Sequence, residues 1–142
     1  MSSRATPEDR LCAACMGWVD FAVFHNMVAQ PFIINHVANE SASKMQNIRN
    51  KRIGVMKGAF DYAVKWKGGY GEMEAKLEKG IFGSTRKTYL SPEQKKYKRR
   101  LDEMDIPSCV FRTEEEFLGT LLEWGLLKPE IKQLLERNDI YV

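Results

Sequence analysis

The sequence predicts an α/β fold, a mixed central sheet flanked by helices. Three observations predict it. Lys67-Gly68-Gly69 is a hairpin signal between two runs of alternating polarity. Ser91-Pro92-Glu93-Gln94 is a capping box with proline at the first helical position, and Thr113 with Glu116 repeats the box. Apolar runs at Phe32-Ile33-Ile34 and Cys109-Val110-Phe111 supply further strands.

Each element has its own local cause. Thr6 can cap a first helix, Pro7 suits its first position, and Glu8 and Asp9 sit in its positive first turn. That helix runs through Leu11, Val19, Ala22 and Val23 towards His25. Pro31 opens the strand at Phe32. Residues 38–58 are polar and basic and read as a loop or a short helix. The hairpin strands are Phe60 to Trp66 and Tyr70 to Leu77, followed by a Gly- and Lys/Arg-containing loop from Lys79 to Tyr89. The Ser91 helix carries an apolar stripe of Tyr97, Leu101 and Met104. Pro107 to Arg112 is a short strand. The Thr113 helix carries Phe117, Leu118, Leu121 and Leu122 and ends at Gly125. A last helix covers Pro129 to Arg137.

The 142 residues amount to one domain, enough to bury a core without metal or disulfide staples. Apolar residues make up 44% and charged residues 29%, a globular balance. The net charge of +3 is too small to establish a polyanionic partner, so the placement of the charges must carry that case. No apolar run has the length of a membrane span, and Met1 to Arg10 does not read as a signal peptide. Three cysteines argue against a disulfide framework and for an intracellular, reducing setting.

The hairpin holds the residues with chemistry. A two-residue loop at Gly68-Gly69 sets Lys67 opposite Tyr70, Asp61 opposite Lys76 and Ala63 opposite Glu74. Opposed residues share a face. One face then carries Phe60, Tyr62, Val64, Trp66, Met73, Ala75 and Leu77, which is a core face. The other carries Asp61, Ala63, Lys65, Glu72, Glu74 and Lys76. Asp61 and Glu74 become diagonal neighbours, roughly 7–8 Å apart at the backbone. Two carboxylates at that spacing can converge on a hard divalent cation such as Mg²⁺ or Mn²⁺. Lys76 points to the same side and can orient a water or stabilise developing charge. The plain alternative is a solvated face with an Asp61–Lys76 ion pair. A bulge or an odd loop would split the two acids between faces.

Gly58-Ala59-Phe60-Asp61, the spacing to Glu74-Ala75-Lys76, and Leu90-Ser91-Pro92-Glu93-Gln94-Lys95-Lys96-Tyr97 together resemble the VRR-NUC domain. That domain is a branch of the PD-(D/E)xK nucleases and includes small stand-alone phage proteins. The resemblance extends to His36-Val37-Ala38-Asn39-Glu40 and to the stretch from Ile106 to Glu116, and covers roughly residues 8–126. It implies one VRR-NUC-like domain over residues 1–142, with a restriction-endonuclease-like core at about 8–126 and a C-terminal helix in 127–142. It implies that Asp61 and Glu74 bind Mg²⁺ or Mn²⁺, with the Ala75 carbonyl as a further ligand and Lys76 as the catalytic lysine. Gln94 matches the family's glutamine near the active site. Glu8 matches the first-helix acid that completes the metal site, with Asp9 as a rival. Two positions depart from the pattern. Phe60 stands where proline is usual, and Cys12 where many members have glutamine.

The resemblance implies a metal-dependent DNA endonuclease acting on branched DNA, such as a Holliday junction or a flap. It also implies a homodimer inside a cell, in the cytoplasm, with a phage-infected host as one setting. Basic residues bracket the hairpin: Lys44, Arg49, Lys51 and Arg52 before it, then Lys79, Arg86 and Lys87, then Lys95, Lys96, Lys98, Arg99 and Arg100. They read as phosphate contacts that add affinity and little base specificity. Two other readings stand beside this one. The first is a DNA-binding or partner-binding module on the same fold without turnover. The second is a redox or zinc protein built on Cys12-Ala13-Ala14-Cys15, against which two small helix residues are the plain reading.

Overall fold

The computed structural model describes residues 6–37, 48, 58–77 and 89–137. They form an α/β arrangement of four strands and four helices. In chain order these are α1 (Pro7–Phe24), β1 (Phe32–His36), β2 (Tyr62–Trp66), β3 (Gly69–Ala75), α2 (Pro92–Glu103), β4 (Ser108–Phe111), α3 (Glu114–Glu123) and α4 (Ile131–Arg137). The loop-or-helix question over residues 38–57 and the basic loop 79–88 lie outside the described residues, Ile48 apart. So do Lys44, Arg49, Lys51, Arg52, Lys79, Arg86 and Lys87.

The strands form one sheet in the order β1-β2-β3-β4. β2 and β3 are antiparallel. β3 and β4 run parallel: the Glu72 N–H donates to the Pro107 carbonyl, and four residues on the Lys76 N–H donates to the Phe111 carbonyl. The sheet is therefore mixed.

The helix signals act as expected. Thr6 Oγ1 accepts the Asp9 N–H at 3.1 Å while the Asp9 carboxylate accepts the Thr6 N–H at 3.0 Å. Ser91 and Gln94 make the same reciprocal pair, and Thr113 Oγ1 accepts the Glu116 N–H. All three long helices end alike, on a residue with positive φ: Asn26 after α1, Asp105 after α2 and Gly125 after α3. In each, the following N–H reaches back five residues, as Met27 does to Ala22, Ile106 to Leu101 and Leu126 to Leu121. These are Schellman ends, which satisfy carbonyls the helix leaves orphaned. Only Gly125 was legible as such a stop. Met104 corrects the expected apolar stripe of α2: it is the C-cap residue and is 61% exposed, because the helix face turns away from the core after Leu101.

The described chain separates into two compact groups of segments. One holds residues 1–32, 75–88 and 111–142. Its core is Leu11, Cys15, Ala22, Leu77, Phe111, Phe117, Leu118, Leu121, Leu126, Ile131 and Leu135. The other holds residues 33–74 and 89–110, with Ala59, Phe60, Tyr62, Ala63, Val64, Met73 and Leu101 buried.

The hairpin register departs from expectation by two residues. Trp66 faces Gly69, Lys65 faces Tyr70, Ala63 faces Glu72 and Tyr62 faces Met73. The loop is Lys67-Gly68, not Gly68-Gly69. Gly68 takes φ +81° at the second loop position, where glycine carries no steric penalty. Gly69 belongs to β3, and a Cβ there would fall on the Trp66 indole. The aromatic ring thus lies across the bare backbone of its cross-strand partner. A slip of two residues preserves the faces. The apolar face is as expected, with Phe60, Tyr62, Val64, Met73, Ala75 and Leu77 buried. Pairing ends at Tyr62 and Met73, and a continuation of this register would set Asp61 opposite Glu74 and not Lys76.

Candidate active site

β3 carries two carboxylates on one face, Glu72 and Glu74. They are 4% and 2% exposed. Around these two acids the face is covered and not solvated, while Lys65 on the same face is exposed. The cover is α2, whose residues Gln94 and Tyr97 are three apart and so share a helix face.

Glu74 Oε1 accepts the Asp61 backbone N–H at 3.0 Å, and Glu74 Oε2 accepts Gln94 Nε2–H at 2.7 Å. The other end of the Gln94 amide, Oε1, accepts the Ser91 N–H at 2.9 Å. Gln94 therefore closes the cap of α2 and also holds a buried acid on β3. Glu74 is thus held by the side chain of Gln94 and by the backbone of Asp61.

Glu72 forms a second clamp. Tyr70 Oη donates to Glu72 Oε2 at 2.8 Å, and Tyr97 Oη donates to Glu72 Oε1. The Tyr97 ring also meets Phe60, centroids 5.4 Å apart. Phe60 thus helps seat α2. Sequence reasoning placed Glu72 on the right face but missed its two phenols. The available signal was the pairing of spacings: acids two apart on a strand against Gln94 and Tyr97 three apart on a helix.

Burial together with the Glu72 hydrogen bond and charge pushes the Tyr70 hydroxyl up to about 12, and the same causes raise Tyr97. Both phenols are held neutral in the fold. A raised acid contributes stability that is fully present below its unfolded value, near pH 10, and lost as pH rises through the folded value. The protein is expected to lose stability between about pH 10 and 12 from this pair. Tyr97→Phe is expected to cost about 1–3 kcal/mol at neutral pH, since it removes a donor from a buried carboxylate. It should also flatten that alkaline loss. Urea unfolding of both proteins at stepped pH checks this; a cost under about 0.5 kcal/mol would contradict the clamp.

Gly58, three residues before Asp61, has φ +82°. A Cβ there would lie 2.6 Å from the Glu93 carbonyl carbon and 2.7 Å from its oxygen. Only glycine lets this segment run against the first turn of α2.

The other expected site residues lie in the first group of segments. Glu8 is half-buried in the first turn of α1. Asp9, its rival, uses its carboxylate to close the α1 cap. Ala75 ends β3, and Lys76 follows with its N–H on Phe111. Among the described residues, no three His, Cys, Asp or Glu side chains form a ready-made ion cage. Carboxylate oxygens such as those of Asp61 and Glu74 are the donor type that suits Mg²⁺, which is commonly held by one or two carboxylates and keeps several waters.

Cys12 and Cys109 are half-buried, and Cys15 is fully buried on α1. Burial, with the nearby Cys12 and Glu114, pushes the Cys15 thiol up and disfavours its thiolate. Trp18 Nε1–H donates to Glu114 at 3.2 Å, tying α1 to α3. His36 packs edge-on to Tyr62. Among the described residues, no helix is long and apolar enough to cross a membrane.

Compared with known proteins, the chain matches no family model, no curated protein and no solved structure.

Proposed function

We propose that this protein is a metal-dependent DNA endonuclease of the PD-(D/E)xK kind, resembling the VRR-NUC branch. The observation that supports the reading is the seating of Glu74. A carboxylate 2% exposed takes the Asp61 N–H and the Gln94 amide, and so sits between β2 and α2 beside two residues of the motif. An acid buried at that cost has a positional role.

In this reading Asp61 and Glu74 hold Mg²⁺ or Mn²⁺, with the Ala75 carbonyl as a third oxygen. The ion, when bound, polarises a phosphate oxygen and lowers the pKa of a bound water. Gln94 fixes the Glu74 carboxylate. Lys76, two residues beyond Glu74, positions the attacking water. Glu8 is assigned as a further acid by the resemblance alone. The substrate is branched DNA, and a homodimer would present paired sites to a four-way junction.

The test is a panel of labelled single-stranded, duplex, flap and four-way DNA incubated with Mg²⁺, with Mn²⁺ and with chelator. Cleavage of the branched substrates that stops with chelator is expected. Binding without cleavage in either metal would favour the silent module on the same fold.

A further inference from the structure

α2 has a second face. Gln94, Tyr97 and Leu101 turn towards β3 and the core. Lys95, Lys96, Arg99 and Arg100 are exposed on the other side. Their spacing puts Lys95 next to Arg99 and Lys96 next to Arg100, one turn apart. Lys98 is internally paired, its Nζ 3.2 Å from Asp102. Among the described residues, no carboxylate pairs with the other four. Like charges one turn apart destabilise a helix by a few tenths of a kcal/mol per pair. This helix carries two such pairs on one exposed face, a positive stripe of the kind a polyanion suits. Beside them lies an aromatic ring: Tyr89 is 55% exposed, with Lys95 Nζ 5.8 Å from its centroid.

We infer that Lys95, Lys96, Arg99, Arg100 and the Tyr89 ring form the seat for a nucleic-acid phosphate backbone. The i to i+4 rise of a helix, about 6 Å, is close to the spacing of successive phosphates, so the stripe can follow one strand. An aromatic ring among cations is what a base or sugar stacks on. A membrane surface fits less well, because among the described residues no exposed Leu, Ile, Phe or Trp on this helix accompanies the cations for insertion. The inference deepens the nuclease reading by naming the element that grips its substrate. The same helix holds Glu74 through Gln94, so the phosphate seat and the acid pair are joined by one rigid body.

The test measures binding separately from cleavage. Fluorescence anisotropy of a labelled duplex bearing a single-stranded flap is recorded in chelator over a series of salt concentrations. The full chain is compared with Lys95→Gln/Lys96→Gln/Arg99→Gln/Arg100→Gln. The variant is expected to bind at least about tenfold more weakly, with a log–log salt slope smaller by about 3–4. Its thermal midpoint should be unchanged or higher, because the like-charge pairs are gone. Unchanged affinity and slope would overturn the inference. So would capture of the full chain by phosphatidylglycerol vesicles without affinity for the DNA. Chelator silences metal-dependent cleavage throughout, so a failed nuclease assay leaves this result standing.

Discussion

Asp61→Ala and Lys76→Ala are each expected to lower metal-dependent cleavage by a hundredfold or more, on the order expected when a site loses one group that stabilises developing charge. Both should bind DNA as well as the parent chain. Asp61 contributes to the hydrogen-bond frame through its backbone N–H, which alanine retains, so Glu74 keeps that donor. The fold should therefore survive the change. Lys76 likewise contributes a backbone bond to Phe111 that does not depend on its side chain. Initial rates on the preferred branched substrate, with affinity measured alongside, check this. Residual metal-dependent activity in both variants would discredit the assignment of the two side chains.

Gly58→Ala is expected to cost about 2–5 kcal/mol of stability. Two effects add. Alanine at φ +82° pays the left-handed penalty of about 1–2 kcal/mol. Its Cβ also runs into the backbone of Glu93 at 2.6 Å, where no flexible side-chain end can give way. Relief requires the first turn of α2 or the segment before Asp61 to move. Either shift separates Gln94 from Glu74, so cleavage should fall with stability. Urea denaturation gives the stability term; a loss below about 1 kcal/mol would mean that the close approach of Gly58 to α2 is not maintained in solution.

Much of this arrangement was legible in the sequence because its causes are local. The caps at Thr6, Ser91 and Thr113 need only residues three apart. The parity of the hairpin faces survives any even slip, so Asp61, Glu72 and Glu74 were placed together even though the loop was misplaced by one position. The misplacement itself has a tertiary cause: the Trp66 ring occupies the space above Gly69, which a turn glycine alone does not announce. The Glu72 clamp was hidden for a similar reason. Tyr97 reads as one of an apolar stripe, and only contact with a carboxylate from another element makes its hydroxyl the relevant atom. Met104 was misjudged because hydrophobicity at helical spacing does not say where the helix stops touching the core. The left-handed stops at Asn26 and Asp105 are carried by residues whose composition signal is weak beside that of glycine.

The central claim is that Asp61 and Glu74 together capture a divalent cation. Anomalous diffraction from crystals soaked in Mn²⁺ addresses it without reference to any substrate. The expected result is a single strong peak at bonding distance from a carboxylate oxygen of each residue, absent in Glu74→Gln. Full occupancy of Mn²⁺ elsewhere, with no peak beside either acid, would contradict it.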